Sequence, residues 1–146
     1  MNKNNINFHV CRTKEGTIAE LVCGVLLLMS LILSLILLIK VREAGVAMLI
    51  QTGVMGFGVI LMLVLAYHPK TFNVPDDSPA ELYVVTIRFL RYLAVLTALM
   101  TLGITLSAFL GFNPVAMMCA LGIVFVILMC WYLYQSMKTK RNKHHE

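Results

Sequence analysis

The chain alternates long apolar runs with short polar segments. The apolar runs cover residues 18–39, 46–67, 93–110 and 115–134. A run of about twenty residues with almost no charge matches the thickness of the hydrocarbon layer of a bilayer. The pattern therefore predicts an all-α membrane protein whose four transmembrane helices form a single integral membrane domain.

Short connections join the spans in pairs. Only a few polar residues around Lys40 and Arg42 separate the first two spans, and residues 111–114 separate the last two. Gly111, Asn113 and Pro114 are the residue types that end one helix and begin the next. The sequence thus predicts two tight hairpins, linked by a polar central connection at 68–92 and followed by a basic tail at 135–146.

The central connection contains a signal for a helix start. Ser78, Pro79 and Glu81 occupy the N-cap, first and third positions of a capping box. A helix is expected to begin at Pro79, well before the membrane part of the third span near Leu93. This first portion has polar and apolar sides, so it is predicted to be an amphipathic interfacial extension before helix 3.

Two arginines lie on the polar side of this extension. At about 100° per residue, Arg88 and Arg91 fall on the same side of the helix as Glu81. They are interpreted as contacts to lipid or to a partner protein, and lipid anchoring is favoured over a specific recognition patch.

Composition and charge narrow the class of protein. Apolar residues make up 60% of the 146 positions, and the net charge is +5. All but Lys40 and Arg42 of the twelve basic residues lie in the two termini and the central connection, which predicts that these segments are cytoplasmic. Because the basic residues flank apolar runs, the lipid bilayer is the expected partner and nucleic acid is not.

Glu20 is the one carboxylate inside an apolar run, and an ionisable residue in a membrane is a candidate functional group. It lies close to the start of its span, where it could also sit among lipid head groups. Residues 18–22 resemble the first helix of small multidrug-resistance transporters. That resemblance implies proton-coupled export with Glu20 as the coupling carboxylate, which is the alternative to a non-transporting role.

The sequence contains no catalytic, cofactor-binding or metal-binding constellation. Cysteines at 11, 23, 119 and 130 form no Cys-x-x-Cys pair and stand apart from the histidines. The chain is therefore expected not to be an enzyme and to need no cofactor.

Small residues repeat every four positions in the third span, at Gly103, Ser107 and Gly111. This spacing predicts a face for close helix packing. The neighbour could be a second protomer or a partner membrane protein, but a span of the same chain is favoured.

Two segments carry a further resemblance. The stretch from His68 to Pro75 and the stretch from Arg88 to Arg91 resemble a segment in small bacterial inner-membrane proteins with a domain of unknown function. These proteins are distantly related to immunity proteins, which protect a cell from its own toxin. The resemblance implies a bacterial cytoplasmic membrane location and a role in sensing or protection, with no catalytic residues.

The predicted orientation can be tested by cysteine labelling at positions 42, 76, 113 and the C-terminus. We expect an impermeant reagent added to intact cells to label positions 42 and 113 only, because the basic segments should stay on the cytoplasmic side. Labelling of position 76 from outside would show that the orientation is wrong.

Overall fold

Four long helices make up nearly all of the described chain. The structure is a computed structural model, and it describes residues 14–68 and 80–142. The helices are α1 (Lys14–Lys40), α2 (Arg42–Tyr67), α3 (Ala80–Leu110) and α4 (Val115–Asn142). Each is long and apolar enough to cross a membrane, so the predicted all-α fold with four membrane-spanning helices is confirmed.

The helices extend beyond the predicted spans. Helix α3 already includes the predicted amphipathic extension, and α4 continues through the first part of the basic tail. The predicted helix start, with Ser78 as the cap and Pro79 as the first residue, lies outside the described residues.

Both hairpins are tight, each for a local reason. Val41 alone separates α1 from α2, and a Cβ atom on Gly45 would collide with the backbone of Leu38. Gly111 ends α3 with a φ of 73°, a conformation that only glycine adopts easily. The Phe112 amide donates to the Ser107 carbonyl at 3.0 Å, as in a Schellman motif. We call this end of the bundle the hairpin end and the opposite end the terminal end.

Helices α1, α2 and α3 pack against one another, whereas α4 contacts only α3 among the described helices. The core of the three-helix unit holds the buried residues Cys23, Val59, Ala94 and Ala98. No residue is buried in the most apolar stretch of α4, whereas 39% of the residues are buried in the most apolar stretch of α3. The fold is therefore a three-helix unit with a fourth helix attached to one side.

Helix α4 is attached to α3 near both of its ends. At the hairpin end, Met117 occupies the space where a Cβ atom of Gly103 would lie. Toward the terminal end, the rings of Phe89 and Tyr132 stack with centroids 4.3 Å apart. The Tyr92 and Trp131 rings meet edge to face at 6.2 Å. Aromatic pairs of this kind add stabilisation beyond the area they bury.

The structure places the three small residues of the third span in two different settings. Gly103 and Ser107 are buried on α3, and the neighbour at Gly103 is α4 of the same chain. Gly111 is exposed in the turn after α3, where it supplies the positive φ. Gly103 and Ser107 are therefore the two buried members of this face, and its use for close helix packing stays a prediction.

We predict that Ser107→Leu destabilises the protein by roughly 1–3 kcal/mol, because the larger side chain overpacks a buried position. The measurement is thermal unfolding in detergent, together with the oligomer size. Leu106→Ile, at a 40% exposed neighbouring position, is the control and should change the melting temperature much less. An unchanged melting temperature for Ser107→Leu would show that this face tolerates bulk and meets lipid.

Candidate functional site

Buried hydroxyl groups join the three helices of the core unit. Ser30 of α1 lies 3.1 Å from the Thr52 hydroxyl of α2 and 3.0 Å from the Thr105 hydroxyl of α3. Ser34 is one turn further along α1 and lies 3.2 Å from the same Thr52 hydroxyl. All four side chains are at most 5% exposed. We call Ser30, Ser34, Thr52 and Thr105 the hydroxyl layer.

Each hydroxyl carries a single proton, and this limits how the layer can be bonded. Ser34 donates to the Ser30 carbonyl at 2.9 Å, and Thr105 donates to the Thr101 carbonyl at 2.9 Å. Both must then accept their remaining bonds. Ser30 therefore donates to Thr105, and the single Thr52 proton is shared between the Ser34 and Ser30 oxygens in a three-centre hydrogen bond. Within the hydroxyl layer, Thr52 is thus the link between α2 and the other helices.

The pattern of apolar runs does not predict the hydroxyl layer, although the sequence contains signals for it. Ser30 and Ser34 interrupt the first apolar run one helical turn apart. Ser30 and Thr52 also lie at equal distances on either side of Val41, so an antiparallel hairpin brings them to the same depth. The hairpin position and the helical rise therefore predict the common depth of Ser30 and Thr52, whereas the rotation that turns them toward each other comes from tertiary packing.

A second polar cluster lies at the terminal end of the core unit. The half-buried Glu20 of α1 accepts a hydrogen bond from the Tyr67 hydroxyl at the end of α2. The guanidinium of Arg91 from α3 lies over the Tyr67 ring, with its Cζ atom 5.8 Å from the ring centroid. This distance is within the range of a cation–π interaction. Glu20, Tyr67 and Arg91 therefore join three helices, and we call them the terminal cluster.

Gly16 explains how Arg91 can be buried. The Arg91 side chain is 5% exposed, and it lies against α1 at Gly16. A Cβ atom on Gly16 would be 2.5 Å from Nη2 and 2.7 Å from Cζ of Arg91. The missing side chain at Gly16 thus provides the space for the guanidinium.

The two arginines of the sequence analysis have different surroundings. The Arg88 side chain is 49% exposed, and its Nε atom lies 3.4 Å from Glu15 Oε2. Arg91 is buried inside the terminal cluster instead. The two arginines do not form one exposed patch, because the missing side chain of Gly16 on α1 leaves space in the interior for Arg91 and not for Arg88.

A groove of about 370 Å³ lies between α1 and α3 beside the terminal cluster. Its charged residues come from the part of each helix nearest the terminal end, and its apolar residues follow toward the middle of the bundle. The lining consists of Glu15, Arg88 and Arg91, and then Ile18, Ala19, Val22, Tyr92 and Val95.

The described helices bring no metal ligands together. Among residues 14–68 and 80–142, no group of three His, Cys, Asp or Glu side chains lies close enough to hold a metal ion. Cys119 and Cys130 are exposed on α4, and Cys23 is buried in the core unit.

Comparison of the chain with protein-family models, with curated proteins and with solved structures finds no match.

Proposed function

We propose that this chain is a non-enzymatic integral membrane protein that acts by binding another membrane protein, in a sensory or immunity-type role. The observation that carries the proposal is the position of α4, which contacts α3 alone among the four described helices and buries no residue in its most apolar stretch. The polar groups between the helices support the non-enzymatic role, since the hydroxyl layer and Glu20 both make helix-to-helix contacts.

Association within a bilayer requires close helix contact, because lipid tails are as apolar as the helix surfaces. A helix with one neighbour keeps more of its surface available for such contact than a helix packed between two others. The core unit holds its three helices together through hydroxyl contacts, and α4 supplies a separate face for a partner helix. In this proposal the protein resides in a bacterial cytoplasmic membrane, with both termini in the cytoplasm.

The test is site-specific photocrosslinking in the native membrane. A benzophenone side chain at Ile127, which is 62% exposed on α4, should give one discrete protein adduct. The matched control is Ile50 on α2, which is the same residue type and is 63% exposed. Discrete adducts at Ile50 with none at Ile127 would contradict the proposed role of α4, and so would the absence of protein adducts at both positions.

The alternative is a small proton-coupled transporter that uses Glu20. The observation in its favour is the position of Glu20 at the junction of three helices, beside a groove. We expect reconstituted protein to move no protons and Glu20→Gln to leave the α4 crosslinks unchanged. A proton flux that Glu20→Gln abolishes, and that Glu15→Gln at a 63% exposed position preserves, would favour the transporter.

A further inference from the structure

We propose that the groove between α1 and α3 binds one anionic phospholipid, with its phosphate at Arg88 near the mouth of the groove and an acyl chain along the apolar walls. This inference concerns a different surface from the α4 face and does not depend on the proposed function.

The order of residues along the groove matches the order of groups in a phospholipid. On α1 the charged Glu15 is followed by Ile18, Ala19 and Val22, and on α3 the arginines are followed by Val95. From Glu15 to Val22 the groove follows α1 for about 10 Å, at about 1.5 Å per residue. This length accommodates the part of one acyl chain that is nearest the head group. The head group then lies at the charged end of the groove.

The charge of the groove favours an anion. Among the lining residues Arg88 and Arg91 are cationic and Glu15 is the one carboxylate, so the lining carries a net positive charge, while Glu20 belongs to the adjoining terminal cluster. Arg91 is buried against the Tyr67 ring and Gly16, so it contributes its charge from the interior, and the half-exposed Arg88 is the arginine that can contact a ligand. A planar guanidinium can also donate two parallel hydrogen bonds to a phosphate.

The ion pair at the mouth of the groove does not block the site. Glu15 and Arg88 are 63% and 49% exposed, and surface pairs of this kind are weak because water screens them. A lipid phosphate can therefore replace Glu15 as the partner of Arg88 at little cost. The groove is also open at the outer surface of the bundle, since Ile18 of its lining is 61% exposed.

The experiment is native mass spectrometry of the purified full-length protein, titrated with dioleoyl phosphatidylglycerol or with dioleoyl phosphatidylcholine. We expect one phosphatidylglycerol to bind in preference to phosphatidylcholine. Arg88→Gln should lower that preference about fivefold, the contribution of one basic residue beside an anionic head group. Lys138→Gln removes the same charge from an exposed site on α4 and should change the preference by less than about twofold.

A second variant tests the acyl-chain part of the site. Ala19→Phe fills the apolar groove and should weaken phosphatidylglycerol binding, whereas Ala47→Phe on the exposed surface of α2 should not.

Equal effects of Arg88→Gln and Lys138→Gln would mean that the attraction is diffuse, and the proposal would be wrong. Equal binding of the two lipids would also overturn it. Displacement of the lipid by inorganic phosphate alone would show a free-anion site instead.

Discussion

Lipid tails offer no hydrogen-bond partner, and this constraint determines how the core of the protein is built. A hydroxyl inside the bilayer must bond to its own helix or to a neighbouring one. Ser34 and Thr105 bond to carbonyls of their own helices, and Ser30 and Thr52 complete the layer across α1, α2 and α3. Rotation of any one helix about its axis would break these contacts. The hydroxyl layer therefore fixes the rotation of each helix in the core unit.

The terminal cluster extends the same principle to charged groups. A buried arginine is costly in a membrane unless its surroundings compensate. Arg91 is admitted by the missing side chain of Gly16, and it lies over the ring of Tyr67, whose hydroxyl in turn bonds to Glu20. The core unit is thus held by polar contacts both within the bundle and at its terminal end. Helix α4 is attached by packing at Gly103, by aromatic rings and by one long hydroxyl contact of 3.4 Å between Thr86 and Tyr132, and it remains the most open of the described helices.

The sequence was sufficient to predict the number of helices, because four apolar runs of membrane-spanning length have no other common explanation. It also predicted both hairpins, the first from the short polar break around Lys40 and Arg42 and the second from the local preferences of Gly111 and Asn113. It could not show which helices are neighbours. Nothing in the apolar run of α4 distinguishes it from a helix packed on two sides, so its position beside α3 alone depends on tertiary contacts.

The same limit applies to the candidate site. A helical wheel places Arg88 and Arg91 on one side of α3, and only the position of Gly16 on another helix separates their environments. Glu20 was identified as a candidate from its charge, but its partner Tyr67 belongs to a different span. Contacts between spans depend on helix rotation, which the hydrophobic pattern does not specify when most sides of a helix are apolar.

A double-mutant cycle between Ser30 and Thr52 tests most directly whether the hydroxyl layer holds the core unit together. The free energy of unfolding would be measured for Ser30→Ala, Thr52→Val and the double variant. We expect a coupling energy of about 0.5–1.5 kcal/mol, the range found for interhelical hydrogen bonds in membranes. Ser107→Ala combined with Thr52→Val is the control, because the Ser107 hydroxyl bonds to the Gly103 carbonyl of its own helix. Additive effects in both cycles would contradict the account.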